Sequence, residues 1–165
     1  MKSTAIATIG VVAAIILGSA AHSEMVSKAL ISPDEINWGP APAALPGGAE
    51  AALLYGDPTK EGLFALRIRI PKDYQIPPHT HPKAEVVTVL TGKFSLGMGS
   101  KAERTSTKQL GAGAFMAMPP EVAHYVFSDE ETVLQITSEG PWAINYLDPK
   151  DDPRLNVAPS RSGGM

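Results

Sequence analysis

Three histidines and a glutamate carry most of the chemistry this sequence offers: His79, His81, Glu85 and His124. The chain has four histidines and no cysteine, so thiolate nucleophiles, zinc-thiolate sites and disulfides are excluded. Imidazole and carboxylate are left as the available transition-metal ligands. His79 and His81 are two residues apart, so in extended backbone both rings point the same way. Glu85 lies a further four along, an even offset that keeps it on that face if no bulge intervenes. Pro77, Pro78 and Pro82 stiffen the chain around the pair and lower the entropy lost in fixing it. His124 follows Met118-Pro119-Pro120-Glu121, where a neighbouring antiparallel strand brings it opposite the other three. Taken singly, each has a plainer explanation: a surface His-x-His turn, a solvent-facing glutamate, a hydrogen-bonded core histidine. Their coincidence in a chain so poor in histidine favours a shared metal.

The elements that must position these groups are short. Fifteen prolines and 15 glycines among 165 residues suit strands and turns, not a helical bundle. Runs with strand character cover Ala51–Tyr55, Leu63–Ile70, Glu85–Leu90, Phe94–Met98, Ala114–Met118, Ala123–Phe127, Val133–Thr137 and Ala143–Leu147. No stretch after residue 36 sustains a helical period, and there is no internal repeat. The expected architecture is therefore all-β, closed or nearly closed so that strand edges are covered.

Residues 1–23 read differently. Lys2 is followed by an uncharged apolar run from Ala5 to Ala21, then by small residues before Glu24. This is the order of a cleavable signal peptide, cut after Ala21 or after Ser23. The expectation is a secreted or periplasmic protein with no membrane segment after cleavage. Residues 24–50 read as an extended N-terminal arm with one helical turn after Ser32-Pro33-Asp34-Glu35. Residues 51–150 form the barrel and 151–165 a flexible tail. The net charge of −3, with no long run of either sign, gives no reason to expect nucleic acid.

The segment PPHTHPKAEVVTVLTG resembles the first motif of the cupin superfamily, with His79, His81, Glu85 and Gly92 at the family spacing. GAGAFMAMPPEVAH is similar to the second motif, with Gly113, Pro119 and His124 in register. Three positions depart: Asp73 and Glu121 stand where glycine is usual, and Ser128 where asparagine is usual. The resemblance implies a single cupin-type jelly-roll β-barrel and one divalent transition metal (Fe, Mn, Ni, Cu or Zn). It also implies a homodimer.

Two function classes follow. One is a metal-dependent enzyme, a dioxygenase or isomerase acting on a small oxygen-bearing molecule, with Glu85 as ligand and catalytic proton acceptor. The other is a non-catalytic periplasmic protein that binds a metal or small ligand. Further candidates around the open metal positions are few. Gln135 in VLQIT is a hydrogen bonder behind the ligands or a solvent-facing amide. Arg67 is a clamp for a substrate carboxylate or an outward strand residue. Tyr125 and Tyr146 offer phenols, or are core and rim residues.

Overall fold

The computed structural model describes residues 30–155. The expected signal peptide (1–23), the start of the arm (24–29) and the tail beyond 155 lie outside the described residues. The chain divides into two compact units at Glu35. In the first, Pro33–Glu35 form one 3₁₀ turn, with the Ser32 N–H donating to Glu35 Oε2 at 2.7 Å. That is the helical turn expected there.

In the second unit the strands are β1 (Gly39–Pro40), β2 (Glu50–Tyr55), β3 (Gly62–Ile70), β4 (Gln75–Thr80), β5 (Glu85–Thr91), β6 (Lys93–Met98), β7 (Thr107–Gly111), β8 (Phe115–Met118), β9 (His124–Phe127), β10 (Thr132–Gly140) and β11 (Asn145–Tyr146). They form two antiparallel sheets, ordered β1-β2-β3-β10-β5-β8 and β11-β4-β9-β6-β7. The all-β jelly roll expected from the sequence is the fold observed.

Alternation builds the larger sheet. In GLFALRIRI, Phe64, Leu66, Ile68 and Ile70 are buried, and the residues between them are half-buried. On β10, Leu134 and Ile136 face the same core, as do Val87 and Val89 on β5. Each fully buried side chain of this size is worth roughly 1.5–3 kcal/mol. Leu45 joins the core, β1 pairs with β2, and the Tyr146 hydroxyl donates to Ala44 O at 2.7 Å. Residues 36–50 thus cover their own barrel.

Three strands were not expected: the two-residue β1 within the arm, β7 and β4. The polar TKQLG of β7 lacks alternation. β4 contains Pro77 and Pro78, which argue against a central strand. The sheet accommodates them at an irregularity in the β4–β9 register between Ile76 and His79.

The departures from the motif pattern keep the backbone that glycine would supply. Asp73 and Glu121 adopt φ of 62° and 60°, in the left-handed region. Ser128 is fully buried and its hydroxyl donates to Glu130 O. Gly92, by contrast, cannot vary: its φ is 72° and a Cβ there would lie 2.3 Å from Glu131 O.

Candidate metal centre

His79, His81 and His124 meet in one buried cluster, with ligand atoms all within 4.8 Å of one another. β4 and β9 pair so that His79 and His124 are direct register partners, and their rings lie 4.3 Å apart. The ring of His81 is 5.0 Å from that of His79 and 5.2 Å from that of His124. Glu85 reaches the cluster by a route the even spacing did not describe. The chain leaves the smaller sheet after Thr80 and enters the larger one at Glu85, so the carboxylate approaches from the opposite wall. His81 Nε2 and Glu85 Oε2 are 3.4 Å apart.

Backbone carbonyls fix the imidazoles. The Nδ1 atoms of His79, His81 and His124 lie 2.7, 2.8 and 3.0 Å from Pro77 O, Ala143 O and Val122 O. A carbonyl only accepts, so each ring carries its proton on Nδ1 and presents a lone pair at Nε2. Burial favours the neutral rings. It pushes the His79 pKa down to about 3, helped by His124, and lowers those of His81 and His124. The buried His81 Nε2 makes no hydrogen bond among the described residues. Its lone pair faces a carboxylate oxygen, an arrangement that a proton or a metal cation relieves. Burial raises the Glu85 pKa to about 7, against the opposing pull of His124 and a hydrogen bond from Trp142. The donor set suits one divalent transition metal: three neutral imidazoles, fixed in tautomer by backbone, and one carboxylate.

The cluster opens on a cavity of about 40 Å³, walled by aliphatic side chains such as Ile70, Val87, Ile136 and Ile144. At roughly 10–15 Å³ per water that is room for only a few water-sized groups. Among the described residues, no lysine or arginine lines it.

The other sequence candidates stand elsewhere. Arg67 and Gln135 are register partners on the outer face of the larger sheet, where Arg67 Nε–H donates to Gln135 Oε1 at 3.2 Å. Neither lines the cavity. Each is flanked by residues that face inward, so alternation turns it outward. Tyr125 is buried beside His124, yet it points the other way: its ring covers Gly97 and its hydroxyl donates to Glu103 O at 3.1 Å. Tyr146 comes nearest, its ring 6.0 Å from that of His79, but its hydroxyl is spent on Ala44 O.

Sequence reasoning missed Trp142. Its indole N–H donates to Glu85 Oε1 at 3.1 Å and its ring stacks on His81 at 5.6 Å and 14°. No spacing relates it to the histidines. A polar-edged aromatic beside a Gly-Pro turn was the single available signal.

Known proteins resemble this chain as follows. A family model described as Cupin matches residues 58–139. Germin-like protein 3-1 of Oryza sativa subsp. japonica is 29% identical over 103 residues, covering 58% of this chain and 46% of that protein. The chain spans less than half the length of the curated relatives it matches. The polyketide cyclase RemF from Streptomyces resistomycificus superposes with a TM-score of 0.61 at 15% identity, covering 75% of this chain and 88% of that one. Salicylate 1,2-dioxygenase from Pseudoaminobacter salicylatoxidans superposes with a TM-score of 0.51 at 18% identity, covering 64% of this chain and 31% of that one. At such identities the shared property is the fold.

Proposed function

Since the chain belongs to the cupin superfamily, we propose that it is an exported protein whose His79, His81, His124 and Glu85 hold one divalent transition metal for chemistry on a small oxygen-bearing molecule. The carrying observation is the buried His81 Nε2, unpaired and 3.4 Å from a carboxylate oxygen, in a trio of tautomer-fixed imidazoles. The metal, when bound, supplies Lewis acidity or a binding position for oxygen. The chain's own residues supply the rest. Aliphatic walls exclude bulk water, the small cavity limits the substrate to a compact molecule, and among the described residues Glu85 is the group positioned to take a proton. That proteins of this fold bear the names of a cyclase and a dioxygenase supports an enzyme.

One observation favours the second reading, a non-catalytic carrier. Among the described residues, the cavity lining carries no nitrogen- or oxygen-bearing side chain to act as acid or base apart from the four ligand-type residues and Trp142. Export rests on the N-terminal sequence. A homodimer, expected from the family, would cover the outer face of the larger sheet, where Tyr55, Leu63 and Phe115 stand exposed.

The test is elemental analysis of protein purified without added metal or a nickel column, beside His79→Ala and His124→Ala. Near-stoichiometric transition metal in the native protein and its loss from both variants are expected. A native protein that stays empty after reconstitution with Fe, Mn, Ni, Cu and Zn would refute the assignment. Oxygen-uptake and isomerisation screens then separate enzyme from carrier. Silence in all of them, with tight binding of a small ligand, selects the carrier.

A further inference from the structure

We propose that Trp142 is a positioning residue of this centre, holding Glu85 Oε1 with its indole N–H so that the carboxylate offers the cluster a single oxygen, Oε2. The inference rests on the metal reading above.

The geometry carries it. One oxygen of Glu85 accepts from Trp142 Nε1 at 3.1 Å, and the other lies 3.4 Å from His81 Nε2. A carboxylate held at one oxygen has lost the rotation by which it would turn both oxygens to a cation. Trp142 also stacks on the ring of His81, while the next residue, Ala143, accepts from His81 Nδ1. Two consecutive residues thus orient two ligands, His81 just past the end of β4 and Glu85 at the start of β5.

Trp142 is itself held. Its backbone N–H donates to Pro58 O at 2.7 Å, and its ring meets the edge of Phe64 at 6.2 Å and 65°. Gly140 packs so tightly on the same turn that a Cβ would lie 2.0 Å from Lys60 O. That turn is braced by the Lys60 N–H donating to Asp57 O and by the Thr59 N–H donating to Asp57 Oδ1. A chain of short contacts therefore runs from an exposed turn to a buried carboxylate.

The experiment is a Co(II) titration of the purified protein and of Trp142→Phe, followed by visible absorption. Phenylalanine keeps a ring over His81 and removes the N–H. The expected result is Co(II) affinity lower by about 10- to 100-fold, the range for partners behind a ligand, with an altered cobalt spectrum. A residue that only packed would leave the spectrum of the bound ion alone. Native protein that binds Co(II), beside a variant matching it within about twofold and in spectrum, overturns the role of Trp142 and leaves the metal site standing. Native protein that binds no cobalt overturns both.

A second measurement does not depend on how Trp142→Phe folds. The chain has two tryptophans, so Trp38→Phe leaves Trp142 as the sole indole. Bound Co(II) is expected to quench its fluorescence, because the ring stacks on the ligand His81. Unquenched emission with cobalt bound contradicts the placement.

Discussion

On β10, Leu134 and Ile136 face the cavity, whereas Gln135 between them faces outward and accepts from Arg67. On β5, Glu85 faces inward with Val87, whereas Val86 and Thr88 face outward. These strands therefore present an apolar inner wall with one acid, and an outer wall that carries Thr88 and Gln135, with Arg67 beside Gln135 on the neighbouring β3. The inner position is the expensive one. A carboxylate there costs several kcal/mol unless something compensates it, and Glu85 has three imidazoles and an indole N–H beside it. Arg67 has no such surroundings on offer inside, and it stays out. Chemistry follows from which side of the sheet a polar residue occupies, not from its presence in the strand.

Removing an inner ligand is expected to have the largest consequence. His81→Ala should weaken metal binding by more than about 100-fold, beyond the usual loss of a supporting partner. Arg67→Ala and Gln135→Ala should leave it unchanged, as read by competition with a chromophoric chelator. An effect of the outer pair comparable to that of His81 would erase the contrast between the two faces. Stability should divide the same way at adjacent residues. Ile136→Ala should cost about 2–5 kcal/mol and Gln135→Ala no more than about 0.5 kcal/mol in urea denaturation.

The smallest effect expected is one of pH on the metal-free protein. Burial holds the pKa of His79, His81 and His124 below the ordinary 6.5, so the unfolded chain takes up more protons as the pH falls past that value. Their contribution is whole above pH 6.5 and drains away as the pH falls towards their folded values. Glu85 runs the other way. Raised from 4.5 to about 7, it favours the folded state most below 4.5 and loses that contribution as the pH rises through 7. Three groups outweigh one, so Tm in a chelator should fall between about pH 6.5 and pH 5. Glu85→Gln removes the opposing contribution and should steepen the fall.

Much of this was legible in the sequence because it is local or periodic. His79 and His81 share a direction through simple alternation, and LFALRIRI announces β3 through its buried residues. The register of β4 with β9 sets His124 opposite His79, as an antiparallel neighbour should. The sequence alone leaves Gln135 open between the two faces and makes an outward Arg67 only the commoner case; the observed register turns both outward. What stayed hidden depends on contacts across the chain. Glu85 reaches the histidines from the second sheet, so its even spacing from His81 was the wrong reason for a correct neighbourhood. β4 was obscured because its prolines sit at a register irregularity that no propensity encodes. Trp142 is placed by a hydrogen bond to Pro58, 84 positions earlier in the chain, and GPWAIN offers only an aromatic beside a Gly-Pro turn, with no spacing that ties it to the histidines.

X-ray absorption at the edge of whichever metal the purified protein carries tests the centre most directly. Three imidazole nitrogens and one carboxylate oxygen at roughly 2.0–2.2 Å are expected, with one imidazole fewer in His124→Ala. A first shell with fewer than three imidazoles in the native protein, or a spectrum that His124→Ala leaves unaltered, would place the metal elsewhere.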